Sequence, residues 1–544
     1  MQNTLLTLFS SARSKEHYRN GFWTNDTLYS LLQAHAQKTP AKIAIRTLRR
    51  PITYSDLLRQ VDLFASELLA RGIRRGQRVA VWLPSSIETV VALLACSRNG
   101  FICCPSLHRD HTVEEMATLL TRVRASALVA RSGYGASGSD RDVFSTCKQI
   151  ESLTEIFAVG DDGIVGIRRG TDSTLRPAAK FDPDRVVYIG FTSGTTGVPK
   201  GVMHTDNTLL ANARSLVRDW NIDDNSVIYT LSPISHNLGF GTIIMTLAAG
   251  AELVLHDLPK RSSVLERLLE TSTTFLVGVP THAIDLVAEL KSSGLPRPDS
   301  LGGFRISGAA VPPDVIRELL AFGVLPQSGY GMTETCSHQY TLPNDDPKLI
   351  IESCGRACPG YEIKIFDSEN PDRELPYGEV GQIGGRGASL MLGYFDDQAA
   401  TEDSFNAAGW FMTGDLGWID ERGYLRITGR KKDIINRGGH KIFPGKIEAL
   451  ASKHNAIHRV AAIPVPDRRL GEKVCLAVVF QPGLKASPAD VLKHLNESGL
   501  SKYDMPEYFL EIKEMPLTAS GKIKKREIAE WVAEGRLVPK PVCL

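Results

Sequence analysis

Tyr188-Ile-Gly-Phe-Thr-Ser-Gly-Thr-Thr-Gly-Val-Pro-Lys-Gly-Val-Met-His-Thr205 runs from an apolar segment into a loop where hydroxyls alternate with glycines. Val186, Val187, Tyr188 and Ile189 form the short, β-branched run of a buried strand, and that strand aims the loop. Gly194, Gly197 and Gly201 open backbone conformations closed to other residues, so main-chain N–H groups can converge on an anion. Thr192, Ser193, Thr195 and Thr196 add hydroxyl donors, and Lys200 adds a point charge. The stretch reads as a phosphate-holding loop. Val198-Pro199 separates Gly197 from Lys200 and Gly201 follows the lysine, which departs from the Walker A spacing and disfavours a P-loop kinase or ATPase.

The ten residues Thr192 to Gly201 resemble the signature of the adenylate-forming superfamily, which contains acyl-CoA synthetases, adenylation enzymes and luciferases. Further motifs follow in the family's order. Gly329-Tyr-Gly-Met-Thr-Glu-Thr335 resembles its second nucleotide motif, Thr413-Gly-Asp415 and Gly429-Arg430 its ribose-binding pair, and Pro516-Leu-Thr-Ala-Ser-Gly-Lys-Ile523 its mobile catalytic loop. The resemblance covers about residues 20 to 530.

That resemblance implies ATP, Mg²⁺ and coenzyme A as the small molecules handled. It assigns Thr192, Ser193, Gly194, Thr195, Thr196, Gly197 and Lys200 to the phosphates, with Gly308, Gly329, Tyr330 and Gly331 near the nucleotide and Tyr330 stacked on adenine. Thr333 touches the α-phosphate, and Glu334 holds Mg²⁺, a hard ion suited to carboxylate oxygen. Asp415 accepts the ribose hydroxyls, assisted by Arg430. Lys432 becomes a hinge pivot, and Gly438-Gly439 a floor over which a pantetheine arm passes. Lys522 reaches the carboxylate and α-phosphate during adenylation, where a cation offsets developing charge. Lys522, Thr333, Glu334 and His236 are the expected catalytic group. His236, Asn237, Phe240, Gly308, Gly331 and Cys336 are expected around the acid.

Composition agrees with a small-molecule enzyme. A net charge of +2, with 42% hydrophobic and 23% charged residues, leaves no electrostatic footprint for nucleic acid. Nine cysteines without a regular framework read as reduced thiols, and Cys354-x-x-x-Cys358 lacks a second pair for zinc. Leu5 to Phe9 has neither a basic region before it nor a cleavage site after it, so a cytoplasmic location is expected. The longest nearly uncharged run, Leu238 to Ala251, falls short of the about 18 to 20 residues a membrane span needs. A monomer or homodimer is expected.

Strand and helix patterns alternate from residue 51, which argues for a layered α/β body. Leu57, Leu58, Val61, Phe64, Leu68 and Leu69 share one face of a helix over 54–72 that Ser55 could cap. Ser85-Ser-Ile-Glu88 reads as a capping box. From Tyr361 apolar and polar residues alternate between glycine-rich turns, predicting an antiparallel β subregion. A compact α+β segment begins past Thr428. The expected domains are therefore 1–428, binding ATP and acid, and a mobile 429–544. Gly445-Lys446 departs from the family pattern, so the first helix of that second domain is expected to start later or to pair differently.

The acid pocket reads two ways. Ser235-His236-Asn237, with Tyr18-Arg-Asn-Gly-Phe-Trp23 and Ile435-Asn-Arg-Gly-Gly439, looks like the aryl-acid AMP ligases that activate dihydroxybenzoate or salicylate. Gly239-Phe240, the Tyr-Gly-Met-Thr-Glu-Thr form and Phe443-Pro444 look more like medium-chain or alicyclic acyl-CoA ligases. The leading expectation is an acid–CoA ligase. The alternatives are loading of an acyl carrier protein and, outside the class, a nucleotide-binding module without chemistry, against which Lys200, Glu334, Asp415, Arg430 and Lys522 all stand together.

Overall fold

The computed structural model describes residues 5–165, 179–192, 199–259, 262–309, 311–518 and 522–542. The chain forms two compact units, Met1–Glu362 with Gly385–Phe405 and Ile363–Gly384 with Asn406–Leu544.

The first unit is built on two mixed sheets. One has seven strands in the order Gly163–Ile164, Glu155–Gly160, Ala125–Ala130, Arg78–Trp82, Ile102–Cys104, Val186–Phe191 and Gly201–Thr205. Its central strands run parallel and are buried along their whole length, which is why they read as unbroken apolar runs. The other has nine strands, with Leu325–Met332 lying between Gly303–Ser307, parallel, and Cys336–Tyr340, antiparallel. The loop after Phe191 and the turn around Met332 thus leave the carboxyl ends of strands, where open α/β sheets bind ligands.

Local signals mostly act as the residues suggest. Helix Tyr54–Ala70 buries Leu57, Val61, Phe64 and Leu68, but its cap is Thr53, whose side chain accepts from Asp56 N, and not Ser55. Helix Ile87–Asn99 starts after Ser86 with no side-chain cap bond, so the expected capping box does not form. That helix is buried on nearly every side, and packing holds it without a cap. The uncharged run after His236 folds as helix Asn237–Ala249 and stops at Gly250 in the left-handed region. Among the described residues no helix is long and apolar enough to cross a membrane.

The second unit contains the antiparallel sheet Tyr361–Phe366, Gly381–Gly387, Phe411–Ile419, Leu425–Arg430, the first two strands starting or ending in the other unit. It also contains a sheet centred on Gly471–Phe480, which pairs with Ile457–Asp467 and Tyr508–Glu511. Val474, Leu476 and Val478 pack with Ile447, Leu492 and Leu495 of two helices, while Cys475 and Ala477 pack with Ile528 of a third. Both faces are covered, so this strand is apolar throughout. Helix Pro444–Ala451 starts at Pro444 rather than late, because proline at the first helical position is already shaped for it.

Candidate active site

In the first unit, Val186–Phe191 and Gly201–Thr205 pair antiparallel with Phe191 opposite Gly201. The neck of the loop between them is closed by Thr192 N donating to Lys200 O at 3.0 Å and Lys200 N donating to Thr192 Oγ1 at 3.4 Å. Ser193, Gly194, Thr195, Thr196 and Gly197 lie outside the described residues. Lys200 Nζ stands 4.6 Å from the centroid of the Tyr394 ring. The Tyr394 hydroxyl donates to Glu334 Oε1 at 3.0 Å. Burial, and next the charge of Glu334, push the Tyr394 phenol far above its ordinary value, so it remains a donor.

Gly329 and Tyr330 lie near the end of strand Leu325–Met332. Ser307 Oγ donates to Gly329 O at 2.9 Å from the neighbouring strand, which brings Gly308 beside the motif. After Tyr330 the chain doubles back so tightly that a Cβ on Gly331 would lie 1.9 Å from Cys336 O. Only glycine fits there. Cys336 takes a φ of 56°, unusual for a residue with a side chain, and such outliers gather at functional sites. Burial pushes its thiol up to about 12. Thr333 O accepts from His204 Nε2 at 2.7 Å, and Met391 N donates to Glu334 O at 2.8 Å, so neighbouring segments hold both residues in place.

His236 sits at the start of helix Asn237–Ala249 and stacks face to face on His108, with ring centroids 3.9 Å apart and planes 10° apart. Asn237 Nδ2 donates to Met332 O at 3.3 Å, tying this helix to the nucleotide motif. Phe240 is 1% exposed and stacks on Tyr188 at 4.2 Å, so its ring is closed off in the interior.

In the second unit, Asp415 and Arg430 are register partners on adjacent strands, with Arg430 Nε 3.1 Å from Asp415 Oδ1. Asp415 N donates to Thr413 Oγ1 at 3.1 Å, and Thr413 Oγ1 donates to Ile383 O at 2.9 Å. Lys522 is held at the neck of its loop: its N–H donates to Thr518 Oγ1 at 3.1 Å, and Thr518 N donates to its carbonyl at 2.8 Å. Desolvation, then the charge of Arg430, lower the Lys522 ammonium below its ordinary value, and Asp415 works in the opposite direction. The three charged residues therefore act on one another.

Gly438 and Gly439 form the two-residue turn between Ile435–Arg437 and His440–Ile442, with φ of 60° and 90°. A turn with two positive φ values calls for glycine by itself. Gly438 N donates to Leu470 O at 2.7 Å, which sets this turn beside exposed Arg468 and Arg469. Lys432, in the short 3-10 turn Lys431–Asp433, has its ammonium lowered by desolvation and then by Arg430.

Sequence reasoning assigned no role to Tyr394, His108, His111 or His204. His204 lies in the opening stretch itself, but the others carry no local pattern and are found only by contact. In the first unit Lys200 and Glu334 thus meet at Tyr394, and in the second Asp415, Arg430 and Lys522 act on one another; a cation beside a buried carboxylate and a second cation beside an Asp–Arg pair are the chemistry of a phosphate-handling protein.

Comparison with known proteins agrees. Residues 32–395 match the AMP-binding enzyme model and residues 446–522 the AMP-binding enzyme C-terminal domain. The medium-chain fatty-acid–CoA ligase of Escherichia coli (strain K12) is 31% identical over 96% of this chain and 94% of its own. A salicylyl-CoA synthase / salicylate adenylyltransferase of a Streptomyces species is 31% identical over 95% and 96%. The solved structure of ATP-bound MatB from Rhodopseudomonas palustris superposes with a TM-score of 0.82 at 29% identity, covering 93% of this chain and 99% of that one. The chain belongs to the AMP-binding enzyme family, as an ATP-dependent, AMP-forming acyl-CoA ligase.

Proposed function

We propose that the acid is a compact ring-bearing carboxylic acid and that the acyl acceptor is free coenzyme A. The observation that carries the acid is the His108–His236 stack, which offers a flat, half-buried imidazole at the start of helix Asn237–Ala249. A flat wall suits a ring better than a flexible chain. Asn237 already gives an amide hydrogen to Met332, so its Oδ1 is the atom to accept from an ortho hydroxyl.

In this reading Thr192, Lys200 and the intervening loop hold the triphosphate, Gly308 and Tyr330 take the adenine, and Asp415 accepts the ribose hydroxyls with Arg430 beside it. Glu334 offers the hard carboxylate oxygen that suits Mg²⁺, and Tyr394 keeps it oriented. The ion, when bound, offsets phosphate charge. The substrate carboxylate attacks the α-phosphorus and pyrophosphate leaves; Lys522 and Thr333 contact the oxygens where charge builds. The thiol of coenzyme A then loses its proton, attacks the acyl carbonyl and displaces AMP. Between the steps, residues 429–544 turn about Lys432. Arg468 and Arg469 beside the diglycine turn support recognition of the nucleotide phosphates of coenzyme A, the chemistry for which arginine is suited. Among the described residues the cysteines are reduced thiols, which supports a cytoplasmic setting.

The test is acid-dependent ATP–pyrophosphate exchange across aryl, alicyclic and linear short- to medium-chain acids, followed by thioester formation with coenzyme A or a phosphopantetheinyl carrier protein. A small aryl or alicyclic acid is expected to give the highest kcat/KM, with coenzyme A as acceptor. Preference for octanoate over every ring acid would overturn the ring reading in favour of a medium-chain ligase.

A further inference from the structure

We propose that His108 is a positioning residue for acid selection, fixing the plane of His236 so that the wall met by the acid stays flat. The inference rests on the proposed reading of His236 as that wall. The two histidines come from different sheets: His108 follows strand Ile102–Cys104 of the seven-stranded sheet, and His236 follows strand Val227–Thr230 of the nine-stranded one. Their rings are nearly parallel at 3.9 Å, closer than most aromatic pairs. His108 is the inner ring, 7% exposed, and His236 the half-buried outer one.

His108 is anchored at three points. Trp82 Nε1 donates to His108 O at 3.1 Å, His108 N donates to His111 Nδ1 at 3.1 Å, and His108 Nδ1 lies 3.2 Å from Ser235 Oγ. The first two fix its backbone and the third its ring. Ser235 also immediately precedes His236, so one contact registers the loop and the other registers the ring. Burial, aided by the neighbouring His236 and His111, keeps His108 neutral, so the stack carries no charge on its inner member. Without the flat inner ring, His236 loses the stacking surface that sets its plane. Acid binding would then have to order that side chain each time, while the nucleotide contacts stay as they were.

Two replacements separate the ring from its hydrogen bond. His108→Phe keeps a flat surface and loses the Ser235 contact; His108→Gln keeps a polar partner and loses the surface. We expect His108→Gln to raise KM for the preferred ring acid about 3- to 10-fold, the range of a lost aromatic pair, with KM for ATP and for octanoate unchanged. His108→Phe should stay near wild type. His108→Asn replaces the glutamine variant should that one fail to fold. Equal effects of Phe and Gln, or parallel shifts in the KM values of acid and ATP, would overturn the proposal. His236→Ala is the control for the reading beneath it: no change in KM for any acid would remove His236 from the pocket, whereas a change there with none in the His108 variants removes only His108.

Discussion

Tyr394 gives its hydroxyl to Glu334 at 3.0 Å while its ring lies 4.6 Å from the Lys200 ammonium. One side chain thereby connects the phosphate-loop cation with the carboxylate proposed to hold Mg²⁺. Tyr394→Phe preserves the ring and the cation above it and removes only the donor. A hydrogen bond to a charged group contributes roughly 1.5 to 3 kcal/mol, so kcat/KM for ATP should fall about 10- to 100-fold, with a raised Mg²⁺ requirement. Pyrophosphate exchange measured across a Mg²⁺ titration checks this. A variant indistinguishable from wild type at every concentration would leave Tyr394 without that role.

Lys522 and the Asp415–Arg430 pair make a second prediction. Lys522→Ala should reduce adenylation on the order of 10²-fold or more, as when one donor to a developing oxyanion is lost, while thioester formation from supplied acyl-adenylate survives. The pH dependence has a definite sign. The ammonium is already lowered, so the active cation is lost early on the alkaline side and adenylation should decline as pH rises through that lowered value. Asp415 is the group that raises it, so Asp415→Asn should move this alkaline limb to lower pH. Movement to higher pH would contradict the electrostatic coupling, and equal loss in both half-reactions would make Lys522 structural.

Much of the candidate site could be proposed from the sequence because its motifs are local. The loop at Thr192 to Lys200, the turn at Gly329 to Thr335 and the lysine at 522 each sit in one short segment whose composition serves one purpose. What stayed hidden depends on distant pairs. Tyr394 meets Glu334 across 60 positions and His108 meets Ser235 across 127, with no periodicity or spacing to announce either contact. Ser85-Ser-Ile-Glu88 shows the opposite failure: the local pattern is present, yet its helix is held by burial and the cap is not used. The acid pocket was ambiguous for a related reason, since His236 and Phe240 belong to one helix turn but one is half exposed and the other closed behind Tyr188.

His204 supplies the last prediction, because the opening stretch places a titratable ring under the second motif. Its Nε2 bonds to the carbonyl of Thr333 at 2.7 Å and must carry the hydrogen, so Nδ1 is left to accept from Thr208 Oγ1 at 3.0 Å. This is the neutral ring, 1% exposed, and burial lowers its pKa to about 4. The unfolded chain would bind a proton near the ordinary value of about 6.5. Between those two values the unfolded state holds more protons than the folded one, so stability rises with pH and the stabilisation present above 6.5 is lost as pH falls toward 4. The full difference is about 3 kcal/mol, with a slope approaching ~1.4 kcal/mol per pH unit inside the window. His204→Gln can keep a donor toward Thr333 and an acceptor toward Thr208 without titrating. Urea unfolding at a series of pH values should show a flatter acid slope for this variant than for wild type, and nucleotide binding at acidic pH should be better retained, because Thr333 is proposed to touch the α-phosphate. Equal slopes would mean that His204 does not take up its proton on unfolding in this range.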